Sequence, residues 1–348
     1  MQRPNLKWVF PSCLVLCLSV FLPQARAQQS PTPKAFPNIS PLSGLKADAP
    51  IAMPTIQSRG QREGESPFSG PVNTNASVGA AGGPRYPADL QYHGGPVVQY
   101  ATQHALFVNP TSSCPPNSCW GDPIGFLSDL GRSGFIRITD PYVGAHQENR
   151  YTVGDSYYFP YAPSAGAGKP FTNLDLAIAA YSIAAQTGGF GNNNIYHLFL
   201  VPGQDVCFDS TFSTCYSPDN LKAWDFCAYH GSVHDSAGNV VLYTVEPYQN
   251  VSGCNVRPGT PNGQLVDSTN NVLSHELIET ITDPRGTAWW NTLDLALYGQ
   301  EIGDECAFLS FTPTDVFFDP SVVRLNRKLY AIQPEYDRSQ HACAAGTD

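Results

Sequence analysis

The chain has 348 residues, of which 42% are hydrophobic and only 14% charged, with 30 glycines, 31 prolines and a net charge of −10. That length can bury a core as one large domain or two ordinary ones. Low charge with many turn formers and aromatics suits an exported, loop-rich protein better than a cytosolic one. An acidic surface argues against nucleic acid and anionic membranes, both of which select basic patches.

Residues 1–27 have the layout of a signal peptide. Arg3 and Lys7 give a basic start, Trp8 to Leu22 an apolar run, and Ala25-Arg26-Ala27 an A-x-A cleavage site. Cleavage removes three basic residues and no acidic one, which takes the net charge from −10 to −13. It also removes Cys13 and Cys17. Cys114, Cys119, Cys207, Cys215, Cys227, Cys254, Cys306 and Cys343 remain, an even number that in an exported chain implies disulfides. Short loops favour 114–119 and 207–215, and the sequence leaves the other pairings open.

Residues 28–85 are rich in Pro, Ser, Gly, Gln and Asn, without periodicity or cysteine. They read as a disordered leader or linker, with a propeptide as the alternative, and folded sequence is expected from Tyr86 to residue 348 as one globular domain. "GPVVQYATQHALFV" (95–108), "NIYHLFLVP" (194–202), "NVVLYTVEPY" (239–248) and "KLYAIQPEY" (328–336) read as strands, and "LDLAIAAYSIAAQ" (174–186) as a helix closed by Gly188 and Gly189. Residues 266–283 form a second helix, with Asp267 or Ser268 as its N-cap and Pro284 as its terminator. Strands and helices mix without a regular βαβ rhythm, so the expected class is α+β: a single zincin-like, metallopeptidase-type domain with a mixed sheet, stabilised by disulfides.

The second helix carries "VLSHELIETITDP" (272–284). It nearly spells H-E-x-x-H, in which residues i and i+4 bind zinc and the intervening Glu is the general base. Here the roles fall to His275, Glu279 and Glu276. His275 and Glu279 stack on one face of a helix that is otherwise apolar, and a buried polar stripe has to be satisfied. A carboxylate at the second ligand position keeps metal binding but makes the metal a poorer Lewis acid. "YGQEIGDECAF" (298–308) supplies the third ligand, Glu301, as thermolysin-like enzymes supply a Glu from a downstream helix. Asp304 is an alternative ligand or the outer acceptor for His275. His230 and His93 are further candidates to line the site or to replace a ligand.

"YHGGPVV" (92–98), "FCAYHG" (226–231), "SHELIETITDP" (274–284), "EIGDEC" (301–306) and "LNRKLYAIQPEYDRSQHAC" (325–343) occur in this order. Together they resemble the EXORDIUM and phosphate-induced protein family and its microbial relatives, in islands over residues 90–345. The resemblance implies a secreted protein at the cell wall, Glu279 as the ordinary residue at its position, doubt over Asp283 as a ligand, and a Cys306–Cys343 disulfide. It carries no biochemical activity. Two readings follow. One is a secreted zinc-dependent hydrolase, a zincin-like peptidase acting on an extracellular peptide or wall polymer. The other is a non-catalytic extracellular protein with a structural zinc or calcium, whose Trp120, Trp224, Trp289, Trp290 and Tyr298 offer a sugar-stacking surface.

Overall fold

The computed structural model describes residues 31–36, 39, 42–55, 86, 88–116, 118–307 and 317–346. The expected signal peptide lies outside the described residues. Among the described residues no helix is long and apolar enough to cross a membrane.

A nine-stranded sheet organises the chain. Its strands are β1 (Lys34–Ala35), β2 (Lys46–Ala47), β3 (Ile51–Pro54), β4 (Ala101–Val108), β5 (Tyr151–Val153), β6 (Tyr157–Phe159), β7 (Asn194–Leu200), β8 (Phe226–His234) and β9 (Val240–Glu246). They lie in the order β1-β6-β4-β7-β9-β8-β2, with β5 also on β4 and β3 also on β8. The neighbours from β1 to β9 run parallel, and β8 is antiparallel to β9. β7 and β9 are near-continuous apolar runs because both sheet faces are covered.

Alternate residues separate the two faces. Leu106, Leu198 and Tyr243 pack with Leu176, Ala180 and Ile183 of helix α2 (Asn173–Thr187), while Phe107, Phe199 and Leu242 join Phe126 and Leu127 of helix α1 (Pro123–Leu130) and Leu273, Leu277 and Ile281 of helix α3 (Gln264–Thr282). The chain is thus mixed α+β, as expected, with a largely parallel sheet between helical layers. α2 starts at a reciprocal capping box between Thr172 and Asp175 and ends on Gly188 at φ 74°. A hairpin of β10 (Ser321–Leu325) and β11 (Lys328–Ile332) packs against α3. α3 is therefore enclosed, and every residue from Asp267 to Thr282 is buried.

Four details differ from the sequence reading. α3 begins after Gly263, two residues earlier than expected. Asp267 is not its cap: the carboxylate is buried and accepts from the Asn262 and Ala331 backbone N–H groups, tying the helix to the hairpin. Residues 95–100 are not strand, because the N–H groups of Gly95 and Val98 are taken by Thr287 and Ile281 near the end of α3. The last strand stops at Ile332, and residues 335–337 pair with 342–344 instead. The fourth difference is larger. Part of the segment expected to be a disordered leader is in the sheet: Ile51, Ala52, Met53 and Pro54 pair with β8 and Lys34 and Ala35 with β6. Met53 is fully buried and Phe36 nearly so. Scattered apolar residues in a Pro-rich segment suffice here because the sheet already offers two free edges. Residues 28–30, 37, 38, 40, 41 and 56–85 of that segment lie outside the described residues.

The disulfides are Cys114–Cys119, Cys207–Cys215, Cys227–Cys254 and Cys306–Cys343. They agree with the two short-loop pairings and with the pairing that the family resemblance implied.

Docking of the N-terminal strands predicts that Met53→Ala costs about 2–5 kcal/mol, the range for emptying a buried large side chain. Chemical denaturation measures it. A change below about 0.5 kcal/mol, the range of ordinary surface substitutions, would show that the segment is only loosely applied.

Candidate metal centre

α3 carries His275 and Glu279 four residues apart, with Glu276 one position further round the helix and Asp283 just past its end as the C-cap. All four residues are fully buried. Under them β8 turns Tyr229 toward the α2 side, so its neighbour His230 faces α3. His230 Nδ1 lies 3.3 Å from Glu276 Oε2 and 3.6 Å from Glu279 Oε2, and its Nε2 lies 3.2 Å from the Asp283 carbonyl and 3.8 Å from Glu301 Oε2.

The third contributor is the turn from Glu301 to Asp304, which enters the short helix Asp304–Ala307. The Asp304 N–H donates to Glu279 Oε1 at 3.2 Å, Gln333 Nε2 donates to the Gly303 carbonyl at 2.9 Å, and the Tyr336 N–H donates to the Ile302 carbonyl at 3.0 Å. Cys306–Cys343 anchors the same helix to the C-terminal segment. Gly303 has to be glycine: a Cβ there would sit 2.5 Å from His275 Nδ1 and 3.0 Å from Glu279 Oε1.

Two triads result, and they share Glu279. One is His275, Glu279 and Asp304; the other is His230, Glu279 and Glu301, and within each the ligand atoms lie within 4.8 Å of one another. The expected set of His275, Glu279 and Glu301 is therefore redistributed. Asp304 takes the place beside His275, at 3.9 Å from its Nε2, and Glu301 goes to His230. His93 does not join: it is exposed and stacked on Trp290, with ring centroids 3.9 Å apart. Of the aromatics weighed as a sugar-stacking surface, Trp120 and Trp224 are buried in the core, whereas Tyr298 is exposed. Sequence reading missed Glu246 and Glu335, both fully buried near the cluster. The available signal was a single carboxylate in each of two otherwise apolar stretches, "VVLYTVE" and "KLYAIQPEY".

No family model, curated protein or solved structure matches the chain. The chemistry of the site rests on its own geometry.

That geometry fits a cation. His275 is fully buried, and neither ring nitrogen makes a hydrogen bond; Nε2 is 3.2 Å from Glu279 Oε2 but is not aligned with it as a donor. Glu279 Oε2, Glu301 Oε2 and Asp304 Oδ1 are likewise buried without hydrogen bonds. Orphaned atoms of this kind cost about 1–3 kcal/mol each, and more when charged. Their convergence on common points is the arrangement that a metal ion satisfies.

The protons respond to the same crowding. Burial and then the charges of Glu279 and Asp283 push Glu301 well above the usual carboxylate range. Burial and then Glu279 raise Asp304 to about 7, and burial raises Glu305 to about 8 against a hydrogen bond from Asn291. Burial alone would lower His275, but Glu279 outweighs it and holds the imidazole well above its ordinary value; for Glu279, burial works upward but the His275 charge prevails and holds it low. Burial lifts Glu276 as well, opposed by the hydrogen bond to His230.

Two predictions follow from the packing and the protons. Gly303→Ala should displace the His275 ring and lower zinc affinity at least tenfold, read by competition with a chromophoric chelator; unchanged affinity would exclude His275 as a ligand. In chelator, Asp304 and Glu305 are carboxyls with raised folded-state pKa values. Their stabilising contribution is full below about pH 4 and is lost as pH rises through about 7 to 8. The metal-free protein should therefore melt at lower temperature at pH 8 than at pH 5.5, and zinc should cancel the difference because the bound state uses the deprotonated groups. A melting temperature that rises with pH in chelator would contradict this assignment.

Proposed function

We propose that this chain is a secreted, divalent-metal-dependent hydrolase acting on peptide bonds, with zinc as its cation. The supporting observation is the buried, unbonded His275 beside Glu279 and Asp304, on the same helix turn as Glu276. His275 Nε2, a Glu279 oxygen and Asp304 Oδ1 would hold the ion. Side-chain exposure is 12% for Asp304, 2% for Glu301 and 0% for His275, Glu279 and His230. A substrate carbonyl would have to reach an open coordination position from the Asp304 side, the least buried of these.

Bound zinc supplies Lewis acidity toward a carbonyl and makes water easier to deprotonate. The chain's own residues do the rest. Glu276 is the general base. Its raised pKa brings it toward neutral pH, where a base is most effective, and its Oε1 is free of hydrogen bonds while Oε2 is held by His230. Asp304 N–H and the Glu279 carboxylate fix each other, which sets the ligand geometry. The four disulfides and the absence of a membrane-crossing helix among the described residues are consistent with an exported protein. The EXORDIUM-like motif order agrees with that location.

The near-complete burial of the cluster favours a second reading, in which the cation is structural: structural metal sites are closed. One set of variants separates the two. His275→Ala should lose zinc and stability together. Glu276→Gln keeps shape and should retain zinc and fold while hydrolysis of a casein-like substrate drops by about 10²–10⁴, the usual contribution of a general base. Wild-type protein that holds zinc but hydrolyses nothing in a broad peptide library establishes the structural reading. Loss of zinc from Glu276→Gln would make Glu276 a ligand and remove it as base.

A further inference from the structure

We propose that the cluster is a two-cation centre in which Glu279 bridges one ion on His275 and Asp304 to a second ion on His230 and Glu301. The proposal rests on the metal-binding reading above and adds a site to it.

Glu279 is oriented for bridging. Its Oε1 accepts from the Asp304 N–H, and that bond turns Oε2 to face two imidazoles, at 3.2 Å from His275 Nε2 and 3.6 Å from His230 Nδ1. Oε2 accepts no hydrogen bond. Atoms about 2.0–2.2 Å from a common tetrahedral ion lie about 3.3–3.6 Å from each other. His275 Nε2 lies 3.2 Å from Glu279 Oε2 and 3.9 Å from Asp304 Oδ1, and His230 Nε2 lies 3.8 Å from Glu301 Oε2, spacings close to those between ligands of one ion.

Glu301 is the observation that one cation leaves unexplained. It is 2% exposed, its Oε2 has no hydrogen bond, and its ion-pair partner is His230 rather than His275. An ion held by His275, Glu279 and Asp304 alone would leave this buried oxygen without a ligand role, with only His230 beside it. The second triad supplies what it lacks. His230 Nε2, 3.8 Å from Glu301 Oε2, would hold the ion, while Nδ1 keeps its contact with Glu276 Oε2, the kind that orients a ligating imidazole.

Charge agrees with a second ion. Among the described residues, the ion pairs of Glu276, Glu279, Glu301 and Asp304 are all with His230 or His275, and none is with lysine or arginine. The four carboxylates of these ion pairs, when ionised, carry the charge of two divalent cations. With one divalent cation, half of that charge has to be met by protons on the carboxyls or on the two imidazoles. Mixed imidazole and carboxylate donors suit first-row divalent ions, and in two-metal centres these ions lie about 3.5–4 Å apart.

Zinc stoichiometry of the full mature chain tests the proposal. Protein stripped with chelator, reloaded with zinc and freed of excess should hold two equivalents by plasma mass spectrometry. Glu301→Gln and Asp304→Asn should each hold one, and Glu279→Gln should bind both at least tenfold more weakly. Circular dichroism reports whether each variant is folded. Anomalous scattering at the zinc edge from wild-type crystals, which needs no variant, should give two peaks about 3.5–4 Å apart. One equivalent and one anomalous peak would overturn the second site while leaving the metal-dependent reading intact. No equivalents would overturn both. Two equivalents that persist in folded Glu301→Gln would place the second ion elsewhere and also overturn the proposal.

Discussion

The structure depends on one electrostatic constraint: a concentration of carboxylates buried between α3 and the sheet, with no lysine or arginine among the described residues paired to it. Glu276, Glu279, Glu301, Asp304, Glu246 and Glu335 meet two charged-capable imidazoles there, His230 and His275. A protein interior tolerates such a group only through protons, metal ions or hydrogen bonds. Hydrogen bonds are few, as the orphaned oxygens show. The choice therefore lies between protons and cations, which makes this region sensitive to both pH and metal supply.

The surrounding architecture serves that constraint. α3 is enclosed on one side by the sheet and on the other by the β10–β11 hairpin, so water cannot solvate its polar stripe. The pleat of the strand carrying His230 sends its side chains alternately to the α2 and α3 sides. The turn carrying Glu301 and Asp304 is held from three directions, by Gln333, by the Tyr336 backbone and by the Cys306–Cys343 disulfide. A site assembled from a helix, a strand and a clamped turn has little freedom to spread its like charges apart.

The helix was legible in the sequence because its signal is local: His275, Glu276 and Glu279 lie within five residues, and the apolar spacing around them defines a face. The disulfide framework was legible for the short loops for the same reason. The division of ligands was not. Which of Glu301 and Asp304 reaches His275 depends on how a turn 22–25 residues downstream is pressed onto the helix by Gln333 and Gly303. His230 could be named as a candidate but not placed, since its position follows from strand order and pleat. Glu246 and Glu335 were hidden in apolar runs. The N-terminal strands were missed because local composition in a Pro-rich segment says nothing about an edge formed by residues far along the chain.

β2 and β3 also have a protective role. Between them they occupy the outer side of β8 along most of its length, from Phe226 to His234. Without that cover β8 would present a long, flat row of unpaired N–H and C=O groups, and its side chains are almost entirely apolar or aromatic on the α2 side. Such a row is a template for pairing with another molecule. Short flanking strands, one of them ending in Pro54, close the row with a segment that cannot itself extend the ladder far. The first part of the folded chain thus keeps the strand bearing His230 from becoming a site of self-association.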